Sequence, residues 1–343
     1  MPGARMAAEM AEQPRVLAEL AGRRPDLVAR VRAVLPQPLA GIVLVARGSS
    51  DNAAIYGRYV LELAAGRPVA LAAPSLLTRY GARDDLSGWL AIGVSQSGRT
   101  PEIVAVLEAY RAAGACAIAV TNDRSGPLAA AADATLDTAA GAERAVPATK
   151  TVTAQLAAFA ILAEAAARDG RLPWGAADWS SLPAAVEALL SDAAPAERAA
   201  EKIAGAAGLV AIARGLLLGA ALEAALKLKE TTGILAEGAS AADFLHGPIA
   251  IVRRELPVVT FAAPGPTTRD VEELAAAVRE RGGRVLRCAP GEGADLPLPA
   301  DVPEGLAAIP AVVRAQQLAR ATALARGVDP DAPFGLSKVT ATD

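Results

Sequence analysis

The chain repeats itself, and the repeat limits what it can fold into. The tetrapeptide VARG at 45–48 returns as IARG at 212–215, and Thr100–Gly114 returns as Thr268–Gly282, two displacements that agree within one residue. Each copy of the longer segment opens on threonine, continues with a helical pattern and stops at glycine. Such agreement on matching strand–turn–helix context implies two similar α/β domains. Between residues 41 and 140, the runs GIVLVARG (41–48), PVALAAP (68–74), LAIGVSQ (90–96), CAIAVTN (116–122) and ATLDTAA (134–140) are short and apolar. Several of the stretches between them are long enough for helices, which predicts a parallel sheet covered on both faces. Residues 4–36 read as helical, with a break at Pro14.

The two copies differ in chemistry. After VARG come Ser49, Ser50, Asp51 and Asn52, whereas after IARG come Leu216, Leu217 and Leu218. The run LAIGVSQSGRT (90–100) offers Ser95, Gln96, Ser97 and Thr100 at the start of a helix, with Thr100 at the N-cap, Pro101 first in the helix and Glu102 toward its positive end. Hydroxyls and backbone N–H groups at a helix start make a phosphate cradle. The GxxxxGK[ST] spacing of a nucleotide loop is missing, so a phosphorylated small molecule fits better than ATP. Taken alone, the loop also reads as an ordinary polar connection. The second copy, AAPGPTT, keeps Thr267 and Thr268 but loses the SQS triplet. The Gly48 and Ser95 loops follow the first and third strands, where doubly wound sheets bind ligands.

Composition closes off other classes. Only 3% of residues are aromatic and the net charge is −3, which argues against single-stranded nucleic acid and anionic membranes as partners. No apolar stretch approaches the ~18–20 residues of a membrane span, and the N-terminus carries Glu9 and Glu12 rather than a signal peptide. Cys116 and Cys288 both fall in expected buried strands, which fits a reducing compartment. The expectation is a soluble cytoplasmic protein. Of 34 Lys plus Arg, only Lys150, Lys202, Lys227, Lys229 and Lys338 are lysines, and lysine can lose its proton or form a Schiff base where arginine cannot.

The second half supplies candidate reactive groups. Lys227 and Glu230 lie three apart on one helical face, on an isolated helix an ordinary solvated ion pair. His246 is the chain's one histidine and precedes Gly247–Pro248; its usual pKa suits proton transfer, although a lone histidine is more often structural. The polar loop 142–151 holds Glu143, Thr149 and Lys150. Lys338 sits in a closing segment rich in Pro, Gly and Asp, where the apolar neighbours Leu336 and Val339 suggest docking rather than fraying. One histidine and two cysteines exclude a typical zinc site, and neither GxSxG nor GxGxxG occurs.

EMAEQP (9–14), GSS (48–50), SQSGRT (95–100), VPATKT (146–151), ALKLKE (225–230), AEGASAADFLHGP (236–248) and GLSKVT (335–340) occur in that order. On these motifs the chain resembles the isomerase half of glutamine–fructose-6-phosphate amidotransferase, built from two sugar-isomerase (SIS) domains. It is equally similar to the stand-alone relatives of that half, aminosugar-6-phosphate deaminases and fructosamine-phosphate deglycases. The resemblance implies two tandem, flavodoxin-like three-layer αβα domains. The corresponding division is an N-terminal helical segment (1–36), a phosphate-binding domain (37–165), a helical connector (166–200), an acid–base domain (201–328) and an active-site tail (329–343).

The same resemblance implies that Ser50, Ser95, Gln96, Ser97 and Thr100 bind a sugar phosphate, with Ser49 beside them. Glu230 matches the glutamate that moves a proton between C1 and C2. His246 matches the histidine that opens the sugar ring and enters from a neighbouring subunit, hence a homodimer. Lys338 matches the tail lysine that meets the open-chain carbonyl and can form a Schiff base, with Lys227 close to it. Val146 and Ala148 match positions lining the substrate, and Glu143 is nearby. The implied reaction is that of glucosamine 6-phosphate with water to give fructose 6-phosphate and ammonia. It needs no metal or redox cofactor, because the substrate carbonyl is the electron sink. Deglycation of a fructosamine- or glucoselysine-type 6-phosphate, and non-catalytic sensing of a sugar phosphate, are the alternatives. Two departures stand out. The chain begins about where the isomerase half begins, so no glutaminase is expected, and Pro333–Phe334 replaces the Pro–Arg common in the tail.

Overall fold

The computed structural model describes residues 1–168, 172–336 and 338, and contains the expected duplication as two five-stranded parallel sheets. The first comprises β1 (Gly41–Val45), β2 (Val69–Leu71), β3 (Trp89–Ser95), β4 (Cys116–Thr121) and β5 (Ala134–Asp137), in the order β2-β1-β3-β4-β5. The second comprises β6 (Gly208–Ala213), β7 (Leu235–Ser240), β8 (Pro257–Phe261), β9 (Arg284–Ala289) and β10 (Leu296–Pro297), in the order β10-β9-β8-β6-β7. Counted from its own first strand, each sheet runs 2-1-3-4-5. The winding therefore reverses between β1 and β3, and again between β6 and β8.

By contacts the chain divides into two compact units that are not continuous in sequence. One holds Val16–Ala142 and Thr151–Leu172 with the first sheet. The other holds Met1–Arg15, Glu143–Lys150 and Pro173–Lys338 with the second. The N-terminal helical segment is accordingly two helices, α1 (Ala4–Ala11) and α2 (Gln13–Arg32), which fall largely in different units. The break comes at Glu12, and Pro14 lies in the first turn of α2, where its missing N–H costs nothing.

In the first unit β1 is buried along its length, and β3 and β4 are buried from their second residues on. Val43, Val45 and Ala91 pack under Ile103, Val106 and Leu107 of the helix Pro101–Ala112. The helix Lys150–Ala166 is buried on nearly all sides, and Gly57 makes room for it: a Cβ there would lie 2.4 Å from the Phe159 ring. Arg24 pairs with Glu164 at 2.6 Å, while Arg32 donates to the carbonyls of Glu164 and Ala165 at that helix's negative end. In the second unit the helix Glu304–Ala325 is similarly enclosed, with Gly305 against Trp174. Among the described residues, no helix is long and apolar enough to cross a membrane.

Two details depart from expectation. In the second copy Thr267 takes the N-cap position and Thr268 begins the helix, because the Thr268 hydroxyl turns back to the Ala263 carbonyl (2.8 Å) and accepts from Gly265 N–H (3.0 Å). Cys116 is half-exposed at the first residue of β4, its thiol 2.8 Å from the Val34 carbonyl; Cys288 is buried as expected. The glycines ending the two repeated helices, Gly114 and Gly282, have φ of 95° and 81°, as left-handed stops require.

Candidate active site

At the carboxyl ends of β1 and β3 the first unit gathers small hydroxyls. Gly48 (φ 60°) turns the chain out of β1 so that Ser49 and Ser50 open the helix Ser49–Ala65. The Ser50 hydroxyl is buried and accepts from Gln155 Nε2 at 3.0 Å. Ser95 ends β3, and its Oγ lies 3.1 Å from Thr100 Oγ1. Thr100 does occupy the N-cap position with Pro101 next, but its hydroxyl makes no capping bond to its own helix. Gln96 and Ser97 are half-buried between them, and Ser97 Oγ accepts from Arg99 N–H at 3.2 Å. Gly98 is obligatory here: its φ is 63°, and a Cβ would come within 2.7 Å of Thr121 Oγ1. Arg47 spans the two loops by pairing with Glu102 at 3.0 Å. Hydroxyls, a helix start and a guanidinium at one switch point can hold an anion.

The corresponding place in the second sheet differs, as its leucines foretold. The Glu304 carboxylate packs so closely on Gly265 that a Cβ there would overlap it, and it accepts from Thr267 Oγ1 at 3.3 Å. Burial raises the Glu304 carboxyl above its usual range. A carboxylate of the chain itself thus stands at that helix start.

The reactive groups of the second unit form a buried charge cluster. On the helix Leu218–Thr232, Lys227 Nζ lies 2.5 Å from Glu230 Oε2 and 3.4 Å from Glu223 Oε1. Lys227 is 1% exposed and Glu223 equally so, whereas Glu230 keeps 23% of its side chain open. The solvated ion pair expected of an isolated helix is therefore not what forms: the helix packs beside β7 so tightly that a Cβ on Gly238 would lie 2.8 Å from the Leu222 Cα. Burial pulls the Lys227 amine downward, but Glu223, Glu230 and the field of Glu143 outweigh it and hold the ammonium above the ordinary lysine range. Glu223, one turn before Lys227, is the residue that sequence reasoning missed; its i,i+4 spacing to the lysine was the available signal.

The loop Glu143–Lys150 completes the cluster. Its residues alternate, with Glu143, Ala145, Pro147 and Thr149 buried while Val146 and Ala148 stay half-exposed. Glu143 Oε1 accepts from Thr149 N–H (2.9 Å) and Thr149 Oγ1 (3.1 Å), and Glu143 Oε2 meets Lys338 Nζ at 2.9 Å. Of the tail's apolar residues Pro330 and Pro333 are buried, whereas Phe334 and Leu336 are exposed; Val339 lies outside the described residues. His246 is exposed on the turn after a short helix, and its imidazole makes no hydrogen bond or ion pair among the described residues.

The SIS domain profile matches residues 40–165 and 202–289. The glutamine–fructose-6-phosphate aminotransferase (isomerizing) of Gloeobacter violaceus is 36% identical over 97% of this chain, and that of Thermus thermophilus is 34% identical over the same share. The chain spans 58% of the length of each. A crystal structure from Silicibacter pomeroyi, assigned as a phosphosugar isomerase, superposes with a TM-score of 0.85 at 35% identity, covering 96% of this chain and all of the other. The glucosamine-6-phosphate deaminase of Thermotoga maritima shares the fold, with a TM-score of 0.80 at 22% identity over 99% of this chain and all of its own. With the doubled 2-1-3-4-5 sheets and the profile matching both of them, the chain belongs to the SIS domain family.

Proposed function

We propose that the chain is an aldose–ketose isomerase that deaminates an aminosugar 6-phosphate, turning glucosamine 6-phosphate and water into fructose 6-phosphate and ammonia. The phosphate is bound by Ser49, Ser50, Ser95, Gln96, Ser97 and Thr100. His246 promotes ring opening. Glu230 takes the proton from C2 as O1 gains one, giving an enolamine, and returns it to C1 as nitrogen loses a proton, giving the fructose imine. Water then adds at C2 and ammonia leaves, so atoms and charge balance. Lys338 faces the open-chain carbonyl, Lys227 stays protonated beside Glu230, and Val146, Ala148 and Glu143 shape the sugar's surroundings.

The observation that carries this reading is the buried Glu223–Lys227–Glu230 set, in which only Glu230 is open enough to meet a substrate. The names of the relatives and solved neighbours point to the same chemistry. A homodimer in which His246 is given to the partner's site is part of the proposal; the histidine's exposure, with Leu245 and Ile251 exposed close by, supports it. Ammonia release from glucosamine 6-phosphate by the wild type and by Glu230→Gln tests the reading. Equal rates would end it, and a panel including fructosamine 6-phosphates would identify the amine.

A further inference from the structure

Helix α1 is tied at both ends to the elements that carry the Lys338 amine. At its start, the Asp331 carboxylate accepts from the N–H groups of Arg5 and Met6, each at 2.8 Å, and Asp329 accepts from Gly3 N–H at 2.8 Å. Arg320 Nε donates to the Gly3 carbonyl at 3.0 Å, and Gly3 (φ 68°) leaves room for the Pro330 ring. A carboxylate at a helix start is charge-assisted and aligned with the helix dipole. Toward its end, the Glu9 carboxylate accepts from Arg144 N–H at 2.5 Å and from Ala145 N–H at 3.1 Å. Met6 and Met10 pack on Ala145 between these two ties.

The two anchored elements meet. Seven residues beyond Asp331 the tail reaches Lys338, whose amine rests on Glu143, the residue before Arg144. The circuit runs from α1 through Asp331 to Lys338, across to Glu143, and back through Glu9 to α1. A tail with both ends fixed loses little further entropy on ordering, and Pro330 and Pro333 stiffen it. Glu9 is remote in sequence from Lys338, yet its buried carboxylate accepts from two backbone donors of the loop that carries Glu143.

We propose that α1 is the frame that positions the Lys338 amine, with Glu9 and Asp331 as its positioning residues. Its catalytic consequence rests on the function proposed above. The experiment compares wild type, Glu9→Gln and Asp331→Asn in two readouts. The first is acylation of Lys338 by an amine-reactive ester, measured by peptide mass spectrometry against Lys202 in the same digest. The second is kcat and KM for ammonia release from glucosamine 6-phosphate. Freed from Glu143, Lys338 acylates roughly tenfold faster at unchanged Lys202 reactivity. The value of kcat falls about tenfold or more, as misplaced reacting groups do, while KM stays within roughly twofold. Wild-type acylation rates in both variants would overturn the frame, and faster acylation with unchanged kcat would overturn its bearing on catalysis. If the wild type turns over no sugar phosphate, the function reading fails while acylation alone still decides on the frame. Should Asp331→Asn lose cooperative unfolding, the acylation rate and kcat of Glu9→Gln decide.

Discussion

Lys227 Nζ stands 2.5 Å from Glu230 Oε2, the buried cation holding in place the one carboxylate of its cluster that remains partly open. The two residues should therefore fail differently. Glu230→Gln keeps the contact but removes the base, so ammonia release falls by about 10²–10⁴-fold, and stability shifts by less than about 1 kcal/mol. Lys227→Met leaves Glu223 buried beside Glu230 without its cation and costs about 3–5 kcal/mol. Chemical denaturation alongside the ammonia assay separates the two outcomes.

The cradle makes a separate prediction. Ser95→Ala removes a hydroxyl from the hydrogen-bonding set, and bonds to charged groups contribute about 1.5–3 kcal/mol. Inhibition by inorganic phosphate or glucose 6-phosphate should weaken by roughly 10–100-fold. Gly98→Ala should act in the same direction, since a Cβ at φ 63° would also strike Thr121 Oγ1. Inhibition constants for both variants check this, and wild-type values would remove the loop from the site.

The sheets, and the hydroxyl-bearing helix starts beside the first of them, were legible because their signals are local. Apolar runs, hydroxyl turns and terminal glycines each declare themselves within a few residues, and the repeat supported the runs and the glycines. Where the sequence was silent, the contact spans the chain: Gln155 reaches Ser50 across 105 positions, Glu9 reaches Arg144 across 135, and Asp331 reaches Met6 across 325. No periodicity encodes such pairs. The Lys227–Glu230 spacing was visible, but its burial was not, because burial came from β7 and the helix Glu304–Ala325 packing over it.

Gly57 is a test of packing in the first unit. Alanine there gains about 1 kcal/mol of helix propensity, but its Cβ would meet three atoms of the Phe159 ring at 2.4–2.7 Å. Phe159 lies within a fully buried stretch of its helix and has nowhere to go. Overpacking costs about 1–3 kcal/mol, so Gly57→Ala is destabilising on balance, and Phe159→Leu added to it should recover part of the loss. A thermal melt of the double-mutant cycle measures this coupling.

Stability should fall at alkaline pH through groups of both units. Burial pushes the Cys288 thiol to about 12, and the half-exposed Cys116 thiol to about 11, with Asp133 adding to the latter. An unfolded thiol titrates near ~8.5. Between those values the folded chain holds protons that the unfolded chain releases, so stability is intact below ~8.5 and drains away as pH rises toward the folded values. Lys227 adds in the same direction at higher pH, since its folded pKa lies above its unfolded one. Each such proton contributes a slope of about 1.4 kcal/mol per pH unit. Cys288→Ala should flatten the decline by about one proton's slope when unfolding free energy is followed from pH 8 to 11 by urea titration. An unchanged slope would mean that the Cys288 thiol titrates alike in the folded and unfolded chains.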